Sequence, residues 1–274
     1  MIYKELFLQT MALIGMCIYC TDKNKRDPYL YKALQGLVET VDFSKHTLGV
    51  SVNGHTEETL RTLDFFKDII TYKYINNKNI GTSEAVNKVL KHRKAGQHFT
   101  KIDDDMYIHD KGWLDQFEEV VTIDPSIAQC GVKRVDVWEN VYHENPFYRT
   151  TLYQLPHKQG DRWIVVEVSN HIIGSCILHS SLLLDKVGYF QQITSYGMDD
   201  SLMSYRSQKA GFKNVFLPHV VVEHLDVSPP LEWHNEKMKM INDAGSEYFR
   251  LRDGIVKGEI SYYYNPYINA DQTN

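Results

Sequence analysis

No run of apolar residues in this 274-residue chain approaches the roughly 20 that a membrane-spanning helix needs. The apolar stretch at residues 11–19 is short and has neither a basic leader nor a cleavage site, so it reads as a buried strand, not a signal peptide. Cysteine is scarce: Cys17, Cys20, Cys130 and Cys176 are the only four. Cys17-x-x-Cys20 has no second pair with which to build a zinc site, and residues three apart on a strand point to opposite faces. Apolar packing in a reducing compartment is the plainer reading, and a cytoplasmic setting is expected. Basic charge is not in excess either. The 30 Lys and Arg against 35 Asp and Glu leave a net charge of −5, with no basic footprint for nucleic acid. Internal repeats and low-complexity segments are absent.

What is present is a globular composition, 43% hydrophobic and 24% charged, in a chain long enough for one large α/β domain or two small ones. Residues 12–20 are apolar on both faces, as in a central parallel strand, and end at Thr21-Asp22. Helical spacing over residues 29–41 puts Leu30, Leu34 and Leu37 on one side. A second strand over 47–52 closes in the turn Asn53-Gly54-His55-Thr56, a helix spans 57–70, and a third strand covers 71–75. This β-α-β-α-β order implies right-handed crossovers and a doubly wound sheet. Ligands of such sheets sit beyond the carboxyl ends of the strands, which puts Thr21-Asp22 and Asn53-Gly54 on one rim.

Asp103-Asp104-Asp105 belongs to the same rim, at the end of the apolar strand that begins at Phe99. Three adjacent carboxylates cannot be buried without positive charge, since even one unpaired buried ion costs several kcal/mol. Carboxylate oxygens suit Mg²⁺ and Mn²⁺, although a solvated acidic turn would also satisfy the pattern. Just upstream, residues 79–90 form a turn and a helix start with Gly81, Thr82 and Ser83. Such a start offers backbone N–H groups to an anion, or is simply a capped helix. A second acidic site, Asp199-Asp200, opens a helix that ends at Gly211. Alignment with the helix dipole explains acids there, but two in succession after Gly197 exceed that need. His224 ends a strand over 214–223 and is either structural or a metal ligand. Residues 139–162 form a long polar and aromatic loop (Tyr142, His143, Pro146, Phe147, Tyr148), of a length usually functional or mobile. Residues 226–274 differ in composition, with a helix over 232–252 and a tyrosine-rich tail.

In this order the motifs resemble the GT-A glycosyltransferases, most closely the family 2-like members, over roughly residues 11–225. Thr21-Asp22 is similar to the family's first nucleotide-contacting loop, and Asn79-x-Gly81-x-x-x-Ala85-x-Asn87 to its segment beside the nucleotide. Asp103-Asp104-Asp105 is similar to the Asp-x-Asp motif, and Asp199-Asp200 with Arg206 to its Glu-Asp…Arg pattern. Asp199 stands where Glu is usual, and Asn53 where the second strand usually ends in Asp. The resemblance implies a GT-A (Rossmann-like) α/β fold with a mixed, mostly parallel sheet flanked by helices. Residues 1–225 would be the nucleotide-sugar-binding and catalytic domain, and 226–274 a helical and aromatic extension near the acceptor. The implied activity is transfer of a sugar from a nucleotide-sugar donor, UDP being the nucleotide that family mostly uses, to a hydroxyl acceptor on a glycan, lipid-linked sugar, protein or nucleic acid. Thr21, Asp22, Asn53, Asn79, Gly81, Asn87, Asp103 and Asp104 would contact the donor. Asp105 and His224 would hold Mn²⁺ or Mg²⁺. Asp200 would be the general base beside Asp199, giving inversion at the anomeric carbon. A nucleotidyltransferase is the nearest alternative, but it would carry a glycine-rich loop after the first strand, and residues 21–28 contain no glycine. A non-catalytic nucleotide-sugar-binding module is the other.

Overall fold

β1 (Leu13–Tyr19), buried along most of its length, lies inside the run of parallel strands in a computed structural model that describes residues 12–134, 151–157 and 162–268. β1 pairs in parallel with β2 (Thr47–Gly54) on one side and β4 (Phe99–Asp103) on the other, and β3 (Ile70–Ile75) adds to β2 in the same sense. α1 (Asp27–Thr40), α2 (Glu57–Phe65) and α3 (Thr82–Leu90) make the crossovers. α1 has proline in its first turn, where no N–H is needed, and buries Leu30, Leu34 and Leu37 against the sheet. α2 is capped by Thr56, whose hydroxyl accepts from Thr59 N while the Thr59 hydroxyl returns the bond to Thr56 N. Cys17 and Cys20 are free, half-buried and buried respectively.

Beyond β4 the sheet turns mixed. β9 (Cys176–His179) runs antiparallel between β4 and β6 (Ile127–Gly131), β10 (Lys213–Phe216) is parallel to β6, and β8 (Trp163–Ser169) with β7 (Thr151–Pro156) closes the edge antiparallel. The full order is β3-β2-β1-β4-β9-β6-β10-β8-β7. α4 (Trp113–Ile123), α5 (Ser181–Val187) and α6 (Asp199–Lys209) complete the flanking layers. Most of the long loop expected at 139–162, including Tyr142, His143, Pro146, Phe147 and Tyr148, lies outside the described residues. Its later part is not loop: residues 151–156 are β7.

The strand expected over 214–223 is two strands. Pro218 cannot donate to a ladder, and a turn closed by Val220 N to Leu217 O at 3.2 Å separates β10 from β11 (Val222–His224). β11 pairs antiparallel with β5 (Met106–Ile108), with His224 opposite Met106. That small second sheet matters, because it lays His224 beside the acid that immediately precedes β5. α7 (Leu231–Lys257) then packs on α6 through Leu202, Tyr248, Leu251 and Ile255. No helix among the described residues is long and apolar enough to cross a membrane.

Candidate functional site

The carboxyl ends of β1, β2 and β4 open into one cleft. Asn53, Asn79, Asp103, Asp104 and Asp105 line one side of it. Asp199, Asp200 and His224 line the rest, so two acidic segments about a hundred residues apart in the chain meet in one cavity. Thr21, Asp22, Gly81 and Asn87 are not among its lining residues. Asp22 is exposed, and Thr21 N is occupied by Asn24 Oδ1 at 2.8 Å. Asn87 is buried and pins α3 to the segment before α6, bonding Phe190 O at 2.8 Å and Phe190 N at 3.0 Å.

The charge that the triplet needs is supplied from within the chain by Arg26, just before α1. Its Nη1 lies 3.1 Å from Asp104 Oδ1, its Nη2 donates to Asp105 Oδ2, and its Nε is 3.3 Å from Asp226 Oδ2. Asp104 also accepts from Tyr19 N at 2.9 Å, which ties the triplet to the end of β1. Burial pushes the Asp104 carboxyl up to about 6 against the pull of Arg26. Asp105 is buried as well, but Arg26 and a hydrogen bond from His224 outweigh that and hold its carboxyl well below the usual range. His224 Nε2 is 3.1 Å from Asp105 Oδ2, and Arg134 Nη2 is 2.7 Å from His224 Nδ1. Arginine can only donate, so Nδ1 accepts and Nε2 carries the proton.

The second acidic segment is compensated differently. Asp199 and Asp200 open α6, and Asp200 is held on three sides: Gly174 N donates to Oδ2 at 2.7 Å, Ser201 N to Oδ1 at 2.8 Å, and His171 Nε2 lies 3.4 Å from Oδ2. A Cβ on Gly174 would sit 3.0 Å from both Asp200 Cβ and Lys101 Nζ, so only glycine lets the backbone approach this closely. Burial opposes ionisation of Asp200, yet the His171 contact and these donors keep its carboxyl well below the usual range. Asp199 is displaced upward by burial, its Oδ2 has no hydrogen-bond partner, and its closest cation is Lys101 at 3.8 Å.

Lys101 joins the two segments. It projects from β4 on the same side as Asp103, two residues on, and its Nζ reaches Asp103 Oδ1 at 3.1 Å and Gly174 O at 2.9 Å. Burial disfavours its charge, but Asp103, Asp199 and Asp200 together raise its proton affinity. Sequence reading passed over Lys101, although a charge inside an apolar strand, in phase with Asp103, was the available signal.

The start of α3 is already satisfied. Gly81, at φ +88°, caps it in a conformation that favours glycine, and Gln192 packs where a Cβ would stand. Glu84 N donates to Gln192 Oε1 at 3.0 Å and Thr82 N to Ser195 O at 3.3 Å. The chain itself fills the anion seat expected there. Asn79 Oδ1 accepts from Gly81 N at 2.8 Å, and Asn53 Nδ2 donates to Gly81 O at 3.0 Å, so these two hold the loop at the rim.

One face of α7 forms the opposite wall, with Trp233, Lys237 and Met240 at i, i+4 and i+7. Trp233 meets Tyr19 with ring centroids 5.4 Å apart, and its indole N–H has no partner. Lys237 Nζ stands 4.8 Å over the Tyr196 ring. Arg206 is elsewhere: buried, it donates to the carbonyls of Val187, Tyr189 and Tyr262 and clamps the C-terminal segment.

Asp105 Oδ2 and His224 Nε2 are close enough to share one ion, and carboxylate oxygen with imidazole nitrogen suits a divalent transition metal. The site fits such an ion with two protein ligands, leaving the others to a bound substrate. Among the described residues the one trio of metal-type side chains within mutual reach is His46, Asp115 and Glu118, by the amino end of β2 and away from the cleft. There His46 Nδ1 already accepts from Ala12 N.

The fold is that of solved GT-A proteins. A mannosyltransferase from Pyrobaculum calidifontis, solved with GDP-Man and Mn²⁺, matches at TM-score 0.64 and 14% identity over 87% of this chain and 64% of that one. GalNAc-T7, solved with UDP, GalNAc and Mn²⁺, matches at 0.55 and 11% over 78% and 44%. S. aureus TarS 1–349 in complex with UDP matches at 0.54 and 15% over 78% and 60%. This chain thus spans less than two thirds of the length of each. No family model matches the sequence, and neither does any curated protein.

Proposed function

We propose that this chain is a glycosyltransferase that moves a sugar from a nucleotide-sugar donor, a UDP-sugar, to a hydroxyl acceptor. The observation that carries the reading is the meeting of two acidic segments with different environments across one cleft at the carboxyl edge of the parallel strands. The triplet side serves the donor. Asp105 and His224 hold Mn²⁺ or Mg²⁺, which as a Lewis acid offsets the charge of a diphosphate leaving group. Asp103 and Asn53 face the nucleoside, and Tyr19 with Trp233 offers it aromatic surface.

The pair side serves the acceptor. Asp200 is the base because its side chain is the more accessible of the two, 18% exposed against 8% for Asp199. The acceptor oxygen attacks the anomeric carbon, its proton passes to the Asp200 carboxylate, and the bond from that carbon to the diphosphate oxygen breaks with its electron pair on the diphosphate. Direct displacement of this kind inverts the anomeric configuration. The donors on Asp200 hold it aimed into the cleft, which supplies orientation rather than basicity. Lys101 sets one cation between Asp103 and Asp199, and the α7 wall faces the acceptor.

The test is release of UDP from UDP-sugars in the presence of Mn²⁺, with and without candidate hydroxyl acceptors, followed by NMR of the product's anomeric centre. Acceptor-stimulated release with inversion is expected. A retained configuration sinks the role of Asp200, and no release from any nucleotide sugar sinks the activity.

A further inference from the structure

Arg26 occupies the place where a cation is wanted, and the reading above leaves it without a role. Its guanidinium is buried among three carboxylates on two chain segments: Asp104 and Asp105 between β4 and β5, and Asp226 beyond β11. Asp226 is itself buried at 3% exposure, and neither of its oxygens makes a hydrogen bond, so its only evident task is to hold the arginine from behind. Arg26 Nη2 and His224 Nε2 meet the same atom, Asp105 Oδ2. That oxygen is the one a metal shared with His224 would need.

We propose that Arg26 is a resident counter-ion of the donor site, which a divalent cation must displace from Asp105 and which then turns its freed N–H groups to the diphosphate that arrives with the metal. This rests on the proposed function for the metal and the donor class, and adds the residue that couples them. The physical argument is one of charge. With Arg26 on Asp105, a dication brought to the same oxygen would lie against a guanidinium, and like charges at contact distance repel, the more so where water is excluded. With Arg26 gone, three buried carboxylates would repel one another and would seek a cation of their own. Metal and arginine therefore compete in the empty site. A diphosphate relieves the competition, because its oxygens bind both the ion and a guanidinium fork. The arrangement offsets part of the acidic charge of the empty site and biases the metal to enter with its nucleotide.

Isothermal titration of Mn²⁺ alone, and of Mn²⁺ in the presence of inorganic pyrophosphate, tests this on the wild type, on Arg26→Gln and on Arg26→Gln/Asp104→Asn. The double variant removes one buried acid with the cation and keeps Tyr19 N supplied with an acceptor, so it covers the case in which the single variant does not fold. In wild type, pyrophosphate should tighten Mn²⁺ binding strongly. Removing Arg26 should tighten binding of Mn²⁺ alone by about 10-fold, the scale of ordinary site-to-site coupling, and shrink the gain from pyrophosphate by a similar factor. Unchanged or weaker Mn²⁺ binding in the folded variants overturns the role of Arg26 and leaves the proposed function standing. No Mn²⁺ binding by any variant, with or without pyrophosphate, overturns the metal part of that function and this inference with it.

Discussion

The acidic triplet and the acidic pair face the same cleft, yet the chain neutralises them in different ways. The triplet is balanced by a side chain from a loop, Arg26, whose fork spans Asp104, Asp105 and Asp226. The pair is balanced by groups that cannot leave: the N–H of Gly174 and of Ser201 on Asp200, and Lys101 of β4, which also holds Asp103, 3.8 Å from Asp199. A loop cation can be exchanged, whereas a backbone donor fixes an angle. The first suits a site that binds and releases a charged cargo, and the second suits one that must present a single oxygen in one direction.

The largest effect that would sharpen this contrast is at Asp200. Asp200→Asn should lower kcat by about 10⁴-fold, the upper end for loss of a general base, while donor affinity by titration stays within a few fold. If Asp199→Asn is the more damaging of the two, their roles are exchanged. Next is Lys101→Met, which leaves the buried Asp199 without its closest cation and should cost about 3–5 kcal/mol of stability. Thermal unfolding would read this, and an unchanged Tm would mean that the bridge between the two sides carries no weight. Asp105→Asn should then weaken Mn²⁺-dependent donor binding by about 100-fold and abolish the thermal shift given by UDP with Mn²⁺, each read against that variant's own apoprotein Tm.

The smallest effect concerns pH, and it separates the two acids of the pair. A base works only when ionised. With the Asp200 carboxyl held low, kcat/KM should stay flat as pH falls from 7 and decline only below the ordinary carboxylate value of about 3.9. If Asp199 is the base, its upward displacement puts the decline above that value. Stability follows the same sign for Asp105 and Asp200. Both carboxyls are lowered by folding, so their contribution is complete above about pH 3.9 and is lost as pH falls through the folded values.

Much of the architecture was legible because it is local. Leu30, Leu34 and Leu37 announce α1, and the two-sided apolar run of β1 announces an interior parallel strand. Asp105 and His224 were matched by motif, and the β5–β11 pairing supplies the physical reason that they meet. Arg26 was not legible. It stands in Asp22-Lys23-Asn24-Lys25-Arg26-Asp27, where nothing local distinguishes it from Lys23 and Lys25, which remain exposed. Asp226 was hidden for the same reason, since its burial depends on Arg26. Gly81 looked like an anion seat, but Gln192 and Ser195, more than a hundred residues later, take the free N–H groups. The strand over 214–223 was read too long because the apolar pattern outweighed Pro218.

Arg206 carries a last consequence, for the order of events during synthesis. Its Nε, Nη1 and Nη2 each donate to a carbonyl, no acid among the described residues pairs with it, and burial lowers its pKa to about 10. One of those carbonyls belongs to Tyr262, 56 residues further along. α6, which presents Asp199 and Asp200, therefore stays incomplete on the ribosome until that tyrosine has emerged. A chain arrested before it would hold a buried cation one acceptor short, directly behind the proposed base.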